Sequence, residues 1–247
     1  MTYDVKQKTI LVTGANRGIG KAILEEALQR GAKKVYAAVR EVDSAEPLVK
    51  EHGKRVVPIR IDLDDPSTIT AAAVSAKDVE IVINNAGVLR TSSPLDEEAI
   101  ESLQFEMQAN VYGLIRVAQA FAPVLKANGG GVLAQLNSVA SVKTFVDLTT
   151  YCASKAASYA VTQGLRDALK EQNTLVVSVH PGPIQTDMAK QAGFGDEAAS
   201  PEMVATAIFD AIADGRFQVW PDPMAEQVGA AYQSFADKIV NVDLMEA

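Results

Sequence analysis

The sequence predicts an α/β fold in which a parallel sheet of about seven strands is covered by helices on both faces. Short runs rich in β-branched residues alternate, along the 247 residues, with longer stretches that have the apolar spacing of helices. Such alternation is typical of parallel strands joined by helical crossovers. The chain has no linker, internal repeat or low-complexity tract, so we assign residues 1–247 to a single domain.

Seven short segments are predicted to be strands of this sheet. They are residues 9–13, 34–39, 56–61, 80–83, 131–136, 175–179 and 217–220. Right-handed crossovers between parallel strands would make the sheet doubly wound and Rossmann-type.

The apolar spacing also locates the helices. Ile19, Ile23 and Ala27 share one side of a first helix, which Gly31 ends. Further helices are expected at about 96–108, 111–127 and 151–170, and only a short one between 62 and 77. An apolar stripe predicts a helical C-terminal tail at 223–240. This tail would pack on its own domain, or instead cover a partner subunit or help to close a pocket.

The composition argues against several classes of function. The chain has 31 acidic and 23 basic residues, a net charge of −8 at pH 7, so we expect no nucleic-acid partner. No apolar run approaches the ~18 residues of a membrane span, and the start at Met1 lacks the apolar core of a signal peptide. The single cysteine, Cys152, is expected to be a small buried side chain and cannot form an internal disulfide. We therefore expect a cytoplasmic protein with no membrane partner.

A glycine-rich turn at residues 13–20 follows the first strand. Gly14, Gly18 and Gly20 have the spacing G-x3-G-x-G. Glycines permit a tight turn and a close approach of the backbone to a pyrophosphate, and the helix that follows offers free N–H groups to an anion. The alternative is an ordinary glycine-rich turn without a ligand.

Tyr151 and Lys155 stand four residues apart, and Ser138 precedes the tyrosine by thirteen residues. On a helix the tyrosine and the lysine would share one face. A nearby ammonium is expected to lower the pKa of the phenol from its usual value near 10, so that it exchanges a proton near neutral pH. Taken singly, the tyrosine could be a packing residue, Ser138 a turn residue and Asn110 the N-cap of a helix that starts at 111.

Several motifs fall at the carboxyl ends of predicted strands, where ligands bind in sheets of this kind. They are the glycine-rich turn, Asn84-Asn85-Ala86-Gly87, Ser138 and Pro181-Gly182. This convergence predicts one binding site.

Together these motifs resemble those of the short-chain dehydrogenase/reductase family in its short form. The matching residues, in the family's order, are Thr13-Gly14 with Gly18-Ile19-Gly20, Asn84-Asn85-Ala86-Gly87, Asn110, Ser138, Tyr151-x3-Lys155, and Pro181-Gly182 with Thr186. The resemblance implies an oxidoreductase that moves a hydride between the nicotinamide of a cofactor and a carbonyl or alcohol carbon.

The resemblance also implies a catalytic part at 110–155 and a role for each matched residue. Tyr151 would be the general acid in reduction and the base in oxidation, and Lys155 would lower its pKa and bind the nicotinamide ribose. Ser138 would hydrogen-bond the substrate oxygen, and Asn110 would hold a water that joins Lys155 to solvent. The residues assigned to the cofactor are Gly14, Asn16, Arg17, Gly18, Ile19, Gly20, Arg40, Asp62, Leu63, Asn85, Ala86, Gly87, Tyr151, Lys155, Pro181, Gly182, Ile184 and Thr186.

Two arginines point to NADP(H) as the cofactor. In NAD-preferring relatives a carboxylate near the end of the second strand binds the ribose hydroxyls, whereas this chain has Val39 there, followed by Arg40. Arg17 lies inside the glycine-rich turn, and two guanidinium groups can bind a 2′-phosphate. NAD remains the alternative because Glu41 and Asp43 follow closely.

Residues 183–200 are predicted to form a loop over the substrate. Candidate apolar pocket residues are Leu89, Phe145, Leu148, Met188, Ala192 and Phe194. They predict a ketone, aldehyde or secondary alcohol with a hydrophobic substituent. The two histidines, His52 and His180, are too few and too scattered for a zinc site, so we expect no metal. We expect a homodimer or homotetramer.

The motifs are compatible with three functions. The first is an NADP(H)-dependent carbonyl reductase or secondary alcohol dehydrogenase. The second is a catalytically silent NADP-binding regulator that senses redox state, which would not need Ser138, Tyr151 and Lys155 together. The third is a sugar-nucleotide epimerase, which shares the tyrosine–lysine pair but normally has more than the about 60 residues that follow Thr186 here.

Overall fold

The computed structural model describes residues 3–194 and 198–242. Its strands form one parallel sheet in the order β3-β2-β1-β4-β5-β6-β7. The strands are β1 (Thr9–Thr13), β2 (Lys34–Val39), β3 (Val56–Arg60), β4 (Ile81–Asn84), β5 (Gly131–Leu136), β6 (Thr174–Val179) and β7 (Gln218–Val219). The predicted fold class is confirmed, and the predicted strand ends differ from these by one residue at most.

The helices are α1 (Gly18–Gln29), α2 (Glu46–His52), α3 (Pro66–Ser75), α4 (Ala99–Met107), α5 (Gly113–Ala127), α6 (Thr149–Ala168), α7 (Asp187–Gln191), α8 (Pro201–Asp214) and α9 (Pro223–Phe235). A π-helical turn, Gln108–Tyr112, joins α4 to α5, and a second one, Ala236–Val240, extends α9. The described helices include none that is both long and apolar enough to span a membrane.

Three of these helices are absent from the sequence predictions. The helix α8 begins where the Ser200 hydroxyl accepts a bond from the Met203 amide, and Pro201 occupies its first turn. Val204, Ile208 and Ile212 recur at helical spacing on this helix and are fully buried. The cap, the proline and this spacing are all visible in the sequence, so α8 was predictable. The helices α2 and α7 are too short to show a periodic pattern, and α7 lies inside the segment that was predicted to be a loop.

The sheet has an apolar layer on each face. Neighbouring residues of β1 point to opposite faces, so Ile10 and Val12 pack in the layer with α1 and α8, whereas Leu11 packs in the layer with α3 and α5. Both faces are covered, and all five residues of β1 are buried. Because both faces are covered, a ligand reaches this sheet at the ends of its strands, and in folds of this kind it binds at the carboxyl ends.

The C-terminal tail packs against the rest of the chain. The Trp220 ring stacks on the His180 ring with a centroid distance of 4.5 Å, and Tyr232 of α9 lies 6.0 Å from the Trp220 ring. A β-carbon on Gly229 would lie 2.5 Å from Trp220 Cγ, so α9 approaches the indole closely. Phe235, at the end of α9, is half exposed.

Candidate active site

The glycine-rich turn is bound to the segment that follows β4. The Thr13 hydroxyl accepts hydrogen bonds from the backbone amides of Asn85 and Ala86, each 2.9 Å long. In return, the Asn85 side-chain amide donates to the Thr13 carbonyl over 2.8 Å. These bonds hold two of the predicted cofactor segments side by side at the carboxyl ends of β1 and β4.

The three glycines of the turn, here called the glycine cradle, let the backbone pack where a side chain would not fit. Gly14 and Gly18 have φ values of +66° and +52°, a region that disfavours other residues. A β-carbon on Gly18 would lie 3.0 Å from Thr186 Cγ2, and one on Gly20 would lie 2.1 Å from the Gly14 carbonyl oxygen. The N-cap of α1, Arg17, makes no side-chain capping bond, so the first amides of α1 are available to an anion. The residues present therefore fit the pyrophosphate of a dinucleotide.

The two predicted 2′-phosphate ligands lie beside this cradle. Arg40 is exposed and directly follows β2, and the Gly14 amide donates to the Ala38 carbonyl in that strand over 2.8 Å. Arg17 pairs with Asp187 over 2.9 Å, but both side chains are mostly exposed. Such surface pairs contribute little, so Arg17 can exchange this partner for a phosphate.

Tyr151 and Lys155 both lie on α6, as predicted. The Lys155 ammonium is buried, donates to the Leu136 carbonyl over 2.8 Å, and lies 5.7 Å from the centroid of the Tyr151 ring. Burial lowers the pKa of Lys155 to about 8. A β-carbon on Gly87 would lie 3.7 Å from Lys155 Nζ, which brings the lysine next to the segment after β4.

The predicted lowering of the Tyr151 pKa is wrong for this structure. Burial raises the pKa of the phenol, and a hydrogen bond with the Ser138 side chain lowers it by less. Loss of water disfavours the charged phenolate, and here this cost outweighs the favourable contacts. Tyr151 is therefore held in its protonated form.

Ser138 is a cap residue, which is one of the roles considered for it. Its hydroxyl donates to the Pro181 carbonyl over 3.2 Å and accepts from the Ala140 amide over 3.1 Å, which caps the short turn Val139–Ser141. The same side chain also acts against the rise in the pKa of Tyr151, which places it close to the phenol. It is thus a cap residue that also faces the tyrosine.

Asn110 lies within the π-helical turn, so the alternative that it is the N-cap of a helix is wrong. Its side-chain oxygen accepts from the Val88 amide, and its nitrogen donates to the Val88 carbonyl and to Ser154 Oγ, each over 2.9 Å. A β-carbon on Gly87 would lie 3.0 Å from Asn110 Oδ1. Asn110 therefore joins the segment after β4 to α6. A role in holding a water stays a prediction.

The other predicted cofactor residues occupy the same edge of the sheet. Asp62 and Leu63 follow β3, and Leu63 packs against Gly113 at the start of α5. Asn16 donates to the Ser44 hydroxyl over 3.2 Å, and Ile19 lies in the first turn of α1.

After β6, the Pro181 carbonyl accepts from the Val139 amide, Ile184 is buried and Thr186 caps α7. Their contacts with a cofactor stay predictions.

Most of the predicted pocket residues meet beside the tyrosine. Leu89, Phe145, Leu148, Ala192 and Phe194 pack in one apolar cluster with Ala140, Tyr151 and Cys152. Met188 is not among the members of that cluster. Cys152 is buried, as predicted, and its sulfur accepts from the Phe145 amide. Residues 195–197 of the predicted substrate loop 183–200 lie outside the described residues.

Three buried polar residues near this site were not predicted. Glu106 is fully buried, its Oε1 accepts from the Arg90 amide over 2.8 Å, and burial raises its pKa. His180 donates to or accepts from Ser178 Oγ and contacts the Ser138 carbonyl, and burial lowers its pKa to about 3. Asp222 binds the Gly182 amide over 2.7 Å. An isolated acid or histidine in a sequence shows no sign of being buried, so no pattern reveals these contacts.

One group of metal-ligating atoms is found among the described residues. The ligating atoms of Glu25, Glu51 and His52 lie within 4.8 Å of one another. The group joins α1 to α2 and contains none of the predicted site residues. The absence of a metal stays a prediction.

The chain matches the family model of the short chain dehydrogenases over residues 8–196. It is 26% identical to the NADP-dependent 3-hydroxy acid dehydrogenase of Schizosaccharomyces pombe, over 83% of this chain and 86% of that protein. A short chain dehydrogenase from Burkholderia cenocepacia J2315, solved in complex with NADP, is 32% identical, with a TM-score of 0.86 over 96% of this chain and 99% of that one. A 7α-hydroxysteroid dehydrogenase, solved with NADH and 7-oxo glycochenodeoxycholic acid, is 25% identical, with a TM-score of 0.79 over 87% of this chain and 93% of that one.

Proposed function

The chain belongs to the short-chain dehydrogenase/reductase family, and from that premise we propose that it is an NADP(H)-dependent carbonyl reductase or secondary alcohol dehydrogenase. The observation that carries the proposal is the meeting of Tyr151, Ser138 and Lys155 beside an apolar cluster, at the edge of the sheet that holds the glycine cradle. A nicotinamide cofactor, when bound, supplies the hydride for reduction or accepts it in oxidation.

The glycine cradle and the arginines are assigned to the cofactor. Gly14, Gly18 and Gly20 keep side chains out of the turn, and the pyrophosphate would bind beside the free amides of α1. Arg17 and Arg40 would bind the 2′-phosphate that distinguishes NADP from NAD. The NADP named for two of the similar proteins supports this assignment, whereas the NADH held by the third makes a direct test necessary.

The catalytic residues have complementary proton chemistry. Tyr151 is protonated, which is the form that reduction requires, and its hydroxyl would donate a proton to the carbonyl oxygen of the substrate. Ser138 would hydrogen-bond the same oxygen. With a pKa of about 8, Lys155 is mostly protonated at pH 7, so its ammonium would stabilise the phenolate that forms on Tyr151. In oxidation, the proton moves in the opposite direction.

The apolar cluster indicates the kind of substrate. Leu89, Phe145 and Leu148 contribute aliphatic and aromatic surface next to Tyr151. A carbonyl compound with a hydrophobic substituent would bury that substituent on this surface and bring its oxygen to the tyrosine. Burial of apolar area favours such a ligand by roughly 25 cal/mol per Å².

The test combines a panel of ketones, aldehydes and secondary alcohols with NADPH or NADP and follows the absorbance of the reduced cofactor. We expect turnover by the wild-type protein. Tyr151→Phe should lower the rate by about 10²- to 10⁴-fold, the usual contribution of a general acid, and leave NADPH binding intact. Tyr36→Phe, whose hydroxyl donates to Asp78, is the matched control and should keep full activity. Full activity of Tyr151→Phe would refute the assignment of the acid.

The same measurements separate the enzyme from the silent regulator. Tight NADPH binding without turnover of any compound would favour the regulator. For the choice of cofactor, we expect kcat/KM to be higher with NADPH than with NADH, and Arg40→Ala to reduce that preference. Arg216→Ala removes an exposed arginine paired with Asp214 and serves as the control. A preference for NADH that survives Arg40→Ala would refute the choice of NADP.

A further inference from the structure

Asp222 is a buried carboxylate that links the C-terminal tail to the predicted cofactor segment. It lies between β7 and α9 and is only 2% exposed. Its Oδ1 accepts from the Ala225 amide over 3.0 Å, which caps α9, and its Oδ2 accepts from the Gly182 amide over 2.7 Å. One side chain therefore begins a helix of the tail and holds a residue of the Pro181-Gly182 motif.

The bond to Gly182 continues the pairing between β6 and β7. The Ser178 amide donates to the Phe217 carbonyl, and two residues later the His180 amide donates to the Val219 carbonyl over 2.8 Å. The next amide in this register is that of Gly182, and it donates to the Asp222 carboxylate instead of a backbone carbonyl. Because β7 has only two residues, the carboxylate extends the pairing beyond the end of the strand.

This approach requires a glycine at position 182. A β-carbon there would lie 2.6 Å from Asp222 Oδ1 and 3.2 Å from Met224 Cβ. Burial of a carboxylate is costly unless hydrogen bonds compensate, and two backbone amides together with the N-terminal end of α9 provide that compensation. The glycine of the motif and the aspartate that precedes α9 therefore depend on each other.

A second contact connects the tail to Ser138. The Trp220 ring stacks on the His180 ring, and His180 Nδ1 lies 3.2 Å from the Ser138 carbonyl oxygen. Gly229 of α9 packs against the indole. The segment between β7 and α9 thus contacts the residues just after β6 at two points, through Asp222 and through Trp220.

We propose that Asp222 is a positioning residue that fixes the segment 181–186, and with it the nicotinamide end of the cofactor site, by joining this segment to α9. The inference rests on the proposed function, which assigns Pro181, Gly182, Ile184 and Thr186 to the cofactor. Loosening of the tail then loosens this segment, and cofactor binding stabilises both together.

Two substitutions separate the contact to Gly182 from helix capping. A serine hydroxyl caps α8 in this chain, so Asp222→Ser keeps a cap on α9 while its short side chain gives up the bond to Gly182. Asp222→Ala loses both contacts. Asp65→Ala removes the side-chain cap of α3 and leaves the segment 181–186 unchanged. It therefore serves as the control for the loss of a helix cap alone.

The first measurement is amide exchange of the unliganded protein, followed by mass spectrometry. Pro181 and Pro183 have no amide hydrogen, so Gly182 supplies the one exchangeable backbone amide of residues 181–183. We expect slow exchange of this amide in the wild-type protein and in Asp65→Ala, and fast exchange in Asp222→Ser. Slow exchange of Gly182 in Asp222→Ser would overturn the proposal.

The second measurement is the dissociation constant for NADPH, obtained by titration calorimetry. Loss of one hydrogen bond to a charged group predicts that Asp222→Ser weakens NADPH binding by about tenfold. Its melting temperature should stay close to that of the wild-type protein, and Asp65→Ala should bind NADPH normally. Normal NADPH binding by both Asp222→Ser and Asp222→Ala would show that Asp222 is only a cap and would overturn the proposal.

A second variant covers the possibility that Asp222→Ser does not fold. Gly182→Ala breaks the same contact from the other side and should also weaken NADPH binding. Wild-type affinity of this variant for NADPH would count against the proposal. Failure of the wild-type protein to bind NADPH would instead overturn the proposed function, while the exchange of Gly182 would still decide whether Asp222 holds this segment.

Discussion

Replacement of Thr13 by valine tests how the glycine-rich turn is held against the segment after β4. Thr13 is 1% exposed, and its hydroxyl accepts from the Asn85 and Ala86 amides and donates to Asn84 Oδ1 over 3.1 Å. Valine has nearly the same shape and suits a strand, so Thr13→Val removes these hydrogen bonds without creating a cavity.

The size of the effect follows from the amides that lose their partner. A buried donor without an acceptor costs about 1–3 kcal/mol. Asn85 and Ala86 are half-buried, which places each amide in the lower part of that range. We therefore expect Thr13→Val to lower the free energy of unfolding by about 2–4 kcal/mol, a large share of the 5–15 kcal/mol that is usual for a protein.

Urea unfolding monitored by circular dichroism measures this loss. Thr174→Val is the matched control, because Thr174 is also a buried strand residue but its hydroxyl accepts only the side-chain amide of Gln172 among the described residues. We expect the control to lose less than about 1 kcal/mol. An equal loss of unfolding free energy in the two variants would contradict the assigned role of the Thr13 hydroxyl, because it would show that the two backbone amides find other partners.

Three further changes test separate parts of the site. Lys155→Ala should weaken NADPH binding in calorimetry and also lower kcat, because the ammonium contributes to both; normal NADPH affinity would contradict its role at the ribose. Gly18→Ala should weaken NADPH binding more than Gly53→Ala does, because both glycines have positive φ but only at Gly18 would a β-carbon meet Thr186. Glu106→Gln should be at least as stable as the wild-type protein, because burial raises the pKa of Glu106 and the wild-type protein must either bury a charge or keep a proton. In urea titrations, the advantage of the variant in free energy of unfolding should grow as the pH rises above about 4.5. A stability difference that does not change with pH would contradict this last expectation.

The strands of the sheet and the positions of its ligand-binding turns could be predicted from local sequence patterns. Runs such as Thr9–Thr13 are β-branched and short, and Gly31 ends the first βα unit where the chain must turn. The i,i+4 spacing placed Tyr151 and Lys155 on one helix face, since helical geometry is local. The apolar candidates Leu89, Phe145 and Leu148 could be chosen because their strands and loops end at the same edge of the sheet.

The extent to which each polar group is buried, and the group that it contacts, emerged only in the folded chain. The Tyr151 pKa rises although an ammonium is near, because desolvation depends on every neighbouring element. Asn110 binds Val88, and Asp222 binds Gly182 forty residues away, through contacts that leave no periodic trace in the sequence. Local patterns reflect short-range backbone preferences, whereas burial and long-range hydrogen bonds arise only when distant segments are brought together in the folded chain.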